Sequence, residues 1–100
     1  MPLFCIIGRD APGSTEKRER LMEKHLVHLK TLNKEKRLIV AGPFFDGQTS
    51  DSHYCGTLLI VDFKTLEQAR YWFEQDPYYQ QGVYKTLEIF PYIDAMPYCE

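Results

Sequence analysis

Apolar positions along this chain follow two different periods, and the change of period marks its elements. Residues 3–8, Leu-Phe-Cys-Ile-Ile-Gly, form an almost unbroken apolar run. Such a run predicts a strand covered on one or both faces. A loop follows over 9–14, broken by Pro12-Gly13. Ser14 or Thr15 can cap a helix with Glu16 and Lys17 in its first turn. Leu21, Met22, Leu26, Leu29 and Leu32 then recur mainly at steps of three and four, which predicts an amphipathic helix to about Asn33. Residues 37–41 predict a second strand closed by Gly42-Pro43. The polar, Gly-containing stretch from Phe44 to Tyr54 is longer than a tight hairpin turn and reads as a binding loop. Gly56 to Phe63 predict a third strand. Thr65 caps a second helix, Leu66 to Gln75, with Leu66, Ala69, Trp72 and Phe73 on its apolar face. Pro77 ends that helix, because the residue before a proline avoids the helical region. Tyr84 to Phe90 predict the last strand, and residues 91–100 an extended C-terminal tail.

The order β-α-β-β-α-β predicts an α+β fold of the ferredoxin-like kind: an antiparallel four-stranded sheet with two helices on one face. The chain has 100 residues, enough for one domain over 1–100 and one core. Two helices cover one sheet face, and nothing but a short tail is left for the other. Many side chains on that second face are apolar, so a second copy is its expected cover and a homodimer the expected unit.

Composition removes several classes of function. With 44% hydrophobic and 26% charged residues, the chain has enough apolar surface to fold unaided. No apolar run approaches the ~20 residues of a membrane helix, so no membrane role is expected. Twelve Lys and Arg face fourteen Asp and Glu, and the densest basic stretch, Glu16 to Lys24, is interleaved with Glu16, Glu19 and Glu23. A nucleic-acid face needs uncompensated positive charge, so no such partner is expected. The three cysteines, Cys5, Cys55 and Cys99, are odd in number and form no CxxC. With no basic leader ahead of the first strand, they read as free thiols in a reducing, cytoplasmic setting. Cys5, inside an apolar run, reads as a small buried hydrophobe.

Two residues break the pattern in a chemically interesting way. His25 falls near the centre of the apolar arc of the first helix, where an imidazole needs a partner. It reads as a satisfied structural histidine or as a functional one. His28 lies at the edge of the same arc and His53 in the long loop; no third ligand spacing marks a metal site, so none is expected. Asp76 shares the apolar side of the second helix and falls in its last turn, where the helix dipole disfavours a negative charge. It reads as a turn aspartate bonded to nearby backbone or as a carboxylate held inward for function. A carboxylate that orients an imidazole leaves the other ring nitrogen free as a base, so the two together suggest a dyad.

The stretches His25-Leu-Val-His-Leu-Lys30 and Arg37-Leu-Ile-Val-Ala-Gly-Pro43, the pair Gly56-Thr57, and Gln75-Asp-Pro-Tyr78 through Gly82-Val-Tyr84 closely resemble the YciI-like (YCII-related) family. The resemblance spans roughly residues 3–91. It implies a dimeric α+β barrel, two ferredoxin-like units with facing sheets, possible further stacking into higher oligomers, and an active-site pair that maps onto His25 and Asp76. It also places Thr57, where the family usually has serine, at the substrate; Gly42 and Pro43 read as a cleft wall or simply a turn, and Tyr78 as a substrate-side donor to a developing oxyanion or as packing against the barrel. Arg9 would supply a cation for an anionic ligand, and Phe44 or Tyr54 would help to hold it. The implied activity is cofactor-independent acid–base chemistry of lyase, isomerase or dehalogenase type on a small anionic or lactone-like molecule. Two other readings stay open: a non-catalytic dimer that binds a small metabolite, and a structural protein whose dyad only stabilises it.

Overall fold

The structure is a computed structural model that describes residues 2–48 and 53–96. Side-chain alternation sets the two faces of its sheet. In β1 (Leu3–Asp10), Phe4, Ile6 and Gly8 are buried, whereas Cys5 and Ile7 are half-buried and Arg9 is exposed. Strand β3 (Tyr54–Asp62) pairs antiparallel with β1, setting Val61 against Phe4 and Leu59 against Ile6. Strands β2 (Leu38–Phe45) and β4 (Tyr84–Tyr92) flank them, giving an antiparallel sheet of order β2-β3-β1-β4. Helices α1 (Thr15–Lys34) and α2 (Leu66–Glu74) lie on one face. Leu29 and Leu32 of α1, and Ala69 and Phe73 of α2, share one apolar cluster with Phe4, Ile6, Leu59 and Val61. The predicted βαββαβ order stands, with one short addition, α3 (Pro77–Gln80), before β4.

Several boundaries differ from expectation for local reasons. Gly42-Pro43 does not close β2, which runs on to Phe45 with Pro43 opposite Thr57. Proline lacks the donor that an inner strand needs, but β2 is an edge strand and tolerates it. Phe45 and Tyr54 therefore belong to strands, and the long loop shrinks to 46–53. Strand β4 continues through Pro91 and Tyr92, opposite Phe4 and Leu3, so the tail starts two residues later. Cys99 lies outside the described residues. Thr65 caps α2 as expected, its hydroxyl accepting from Gln68 N at 3.1 Å. Ser14 stands at the N-cap of α1 without capping it; its hydroxyl faces the carbonyls of Ala11 (2.7 Å) and Val83 (2.9 Å) and ties the helix start to the residue just before β4.

The second sheet face carries Cys5, Ile7, Leu58, Ile60, Val40, Phe44 and Phe90 by register. No described element covers it, and Val40 and Phe90 are about half exposed, at 48% and 49%. Gly56 is needed here: a Cβ at this position would fall on the Phe44 ring and only 2.7 Å from the Gly8 carbonyl oxygen. Among the described residues, no helix is long and apolar enough to cross a membrane.

Candidate active site

The buried stripe of α1 is Arg18, Leu21, His25, Leu29 and Leu32, at steps of three and four. Met22 and Leu26, expected in the core, are 51% and 39% exposed. They border a cleft between α1 and the edge strand β2. Two charged or titratable side chains have taken positions in the helix stripe that hydrocarbon would normally fill.

His25 reaches from this stripe to α3. Its Nδ1 lies 2.7 Å from Asp76 Oδ2 and 3.0 Å from Oδ1, and Asp76 is fully buried. The expected conflict with a helix dipole does not arise. α2 ends at Glu74 with Gln75 as its C-cap, and Asp76, extended at φ −67° and ψ 131°, is the N-cap of α3. Its Oδ1 accepts from Tyr78 N at 2.9 Å. Pro77 starts α3 rather than merely ending α2, a position where its missing N–H costs nothing. A carboxylate accepts and cannot donate, so in the neutral ring Nδ1 carries the proton and Nε2 is bare. Nε2 has no partner among the described residues, and every fully buried side-chain nitrogen or oxygen described has one. Nε2 is therefore accessible, and His25 borders the cleft.

Tyr78 stacks flat on the imidazole, ring centroids 3.9 Å apart and planes within 6°. Its hydroxyl donates to the Arg18 carbonyl at 2.9 Å and is committed inside the protein. Burial is the main cause that pushes the Tyr78 phenol above its ordinary range.

The cation at the cleft is Arg18, which the sequence reading did not single out. It is buried, and its Nε and Nη2 donate to Asp10 Oδ2 and Oδ1 at 2.7 and 2.8 Å. Nη2 also donates to Thr57 Oγ1 at 2.8 Å. Burial pulls the guanidinium down, but the bond to Asp10 and its charge outweigh that, so the group is raised and stays charged. Its guanidinium carbon lies 5.2 to 5.8 Å from the ring centres of Tyr78, Tyr54 and Tyr84. Arg9, the expected cation, alternates to the opposite sheet face. There it pairs with Glu88 at 2.7 Å, and it does not border the cleft. Phe44 shares that opposite face.

The cleft holds about 290 Å3. Ala41, Gly42 and Pro43 form its β2 wall, Met22 and Leu26 its helix wall, and Tyr54, Thr57 and Tyr78 border it too. The structure thus brings His25, Thr57, Gly42, Pro43 and Tyr78 together, with Asp76 behind His25, and leaves Arg9 outside. Arg18 was legible in one respect: it precedes His25 by seven residues, two helical turns on the same face. His28, one turn beyond His25, is differently used. Its Nε2 donates to the Trp72 carbonyl at 2.8 Å and its ring stacks on Trp72, centroids 4.7 Å apart. Among the described residues, no group of three or more His, Cys, Asp or Glu could hold a metal ion.

Comparison with known proteins places this geometry in context. Residues 2–93 match the sequence model of the YCII-related domain. An uncharacterized protein of Haemophilus influenzae is 37% identical over 92 residues, 89% of this chain and 94% of its own length. Protein YciI of Escherichia coli is 34% identical over 93 residues, 90% of this chain and 95% of its own. Among solved structures, 5-chloro-2-hydroxyhydroquinone dehydrochlorinase (TftG) of Burkholderia phenoliruptrix, in complex with 2,5-dihydroxybenzoquinone, aligns with a TM-score of 0.81 and 26% identity, covering 91% of this chain and 93% of its own.

Proposed function

The chain belongs to the YCII-related domain family, and on that premise we propose that it is a small acid–base enzyme whose base is His25 and whose orienting carboxylate is Asp76. The observation that carries this reading is the split use of one imidazole. Nδ1 is held by a buried carboxylate, while Nε2 is bare and accessible beside an apolar cleft. A neutral imidazole in that tautomer accepts a proton at Nε2, and the Asp76 charge stabilises the imidazolium that forms.

Size narrows the substrate. A cavity of about 150 Å3 takes up benzene, so about 290 Å3 suits one substituted ring rather than a nucleotide. The dehydrochlorinase neighbour acts on a chlorinated hydroxyhydroquinone. By that likeness the substrate class is a small oxygenated ring, quinol-like or lactone-like, carrying a leaving group or an acidic proton. In an elimination of this kind the hydroxylated ring first tautomerises to a ketone that leaves the halide on a saturated carbon; Nε2 then takes the proton of a ring hydroxyl, the freed electron pair forms a carbonyl and drives the halide out through the ring, and net loss of HX gives a quinone with no redox partner. Thr57, Gly42 and Pro43 would line the bound ring, and Tyr78 would hold the imidazole plane. The uncovered apolar sheet face supports a homodimer as the working unit.

The test is direct. The protein is incubated with 5-chloro-2-hydroxyhydroquinone and a panel of small lactones, with release of chloride or acid and the ring spectrum followed. Turnover that falls ~10²–10⁴-fold in His25→Ala supports the reading. Equal rates in wild type and His25→Ala would defeat it. Compounds that raise Tm yet survive unchanged would instead favour the non-catalytic binding protein.

A further inference from the structure

Hydrogen-bond accounting at Thr57 leads beyond the His25–Asp76 pair. A threonine hydroxyl has two acceptor lone pairs and one proton to donate. Arg18 Nη2 fills one lone pair at 2.8 Å, and a guanidinium can only donate. The Tyr84 hydroxyl contacts the same oxygen at 2.9 Å. Thr57 Oγ1 is the one acceptor for the Tyr84 proton among the described residues, so Tyr84 donates. Burial is the main cause that pushes the Tyr84 phenol above its ordinary range, and it remains protonated. With both lone pairs filled, the Thr57 proton is what remains, and the hollow that Thr57 borders is the cleft.

We propose that Arg18 and Tyr84 are positioning residues that make the Thr57 hydroxyl an obligate hydrogen-bond donor into the cleft, so that the site selects ligands by an accepting oxygen: a carbonyl, enolate or phenolate. Each support is fixed in turn. Asp10 grips the guanidinium through two bonds of 2.7 and 2.8 Å. Gly8 leaves room for the Tyr84 ring, since a Cβ there would stand 2.9 Å from it. The charge on Arg18, one bond away, polarises the hydroxyl and favours an anionic oxygen over a neutral one. A donor group in the ligand, such as an amine N–H, would meet the Thr57 proton head on. The inference rests on the cleft being the ligand site of the proposed function, but not on any turnover there.

The test uses 4-nitrophenol, whose phenolate absorbs visibly, at a pH below the pKa of the free phenol. Wild type and Thr57→Ser should bind it with a phenolate band. Thr57→Val, which keeps the shape and loses the hydroxyl, should bind about 10–100-fold more weakly and lose the band. Tyr84→Phe frees one lone pair, so Thr57 can accept as well as donate, and the phenolate preference should shrink. That arm decides the matter if Thr57→Val does not fold. A phenolate band in Thr57→Val or Tyr84→Phe equal to that of wild type would overturn the proposal, as would absence of 4-nitrophenol binding to wild type at millimolar concentration. The ratio of wild-type to Thr57→Val affinity should be kept in a His25→Gln background; its collapse there would assign the preference to the imidazole and overturn the role of Thr57. A band that persists in a protein with no turnover would defeat the enzyme reading alone.

Discussion

Towards its C-terminal end α1 meets the sheet through hydrocarbon. Leu29 and Leu32 pack among Phe4, Val61, Phe63 and Phe73, and His28 is closed off by the Trp72 ring and carbonyl. One to four turns earlier the same helix meets its neighbours through charge: Arg18 bridges Asp10 and Thr57 on the sheet, and His25 reaches Asp76 at the start of α3. The two histidines, three residues apart, show the contrast best. Both are stacked on an aromatic ring and both bond through one nitrogen. His28 spends its donor on a backbone carbonyl that any donor could satisfy. His25 spends its donor on a fully buried carboxylate and keeps its other nitrogen at a cleft. Burying charge is costly, and well-packed hydrocarbon of similar volume often stabilises as well or better. Stability alone is therefore a weak account of the polar end of α1, and the proposed site at the cleft is the alternative.

That contrast can be broken in order of expected size. Arg18→Met should cost the most, about 3 kcal/mol in urea unfolding, because it leaves the Asp10 carboxylate buried and unpaired. Adding Asp10→Leu should recover much of the loss while ligand binding stays impaired. If the double variant binds 4-nitrophenol as wild type does, the polar end is only structural.

Alkali should also separate the two ends. The Tyr84 and Tyr78 phenols are raised, first of all by burial. Below about pH 10, the ordinary tyrosine value, both states keep their protons and stability is unaffected. Above it the unfolded chain ionises while the folded chain resists, so stability falls as pH rises toward the folded values. Tyr84→Phe should flatten that alkaline decline. An unchanged slope would show that its burial contributes nothing to the pH dependence. The smallest effect belongs to His28→Ala, about 1 kcal/mol for one bond and one stack. Any turnover or ligand affinity should remain that of wild type; a loss matching His25→Ala would erase the distinction between the two histidines.

The same contrast sets what the amino-acid sequence makes legible. Periodic hydrocarbon is legible, so the strands, the two long helices and their order follow from apolar spacing. Edges are not, because nothing local says that β2 has one neighbour; Pro43 therefore looked like a stop. Asp76 is legible as a charge on an apolar side, but the short helix it opens is not. Asp76-Pro77 begins a new turn rather than ending an old one, which turns an apparent dipole conflict into an ordinary N-cap. Arg18 was hidden inside a run that looked like solvated charge, with Glu16, Lys17, Glu19 and Arg20 around it. Only the stripe it shares with His25 separates it from them. Arg9 drew attention as a loop cation, but β1 extends to Asp10, and strand alternation sends Arg9 to the other face and Asp10 to the cleft network.

In the proposed site Asp76 holds the Nδ1 proton of His25 and leaves Nε2 bare toward the cleft. Nitrogen-detected NMR of the histidine ring reads this directly in the neutral form of the imidazole. Wild type should show an Nδ1–H tautomer for His25, with the proton protected from exchange, and Asp76→Ala should lose that tautomer preference. An Nε2–H tautomer in wild type, or a ring signal that Asp76→Ala leaves unchanged, would contradict it.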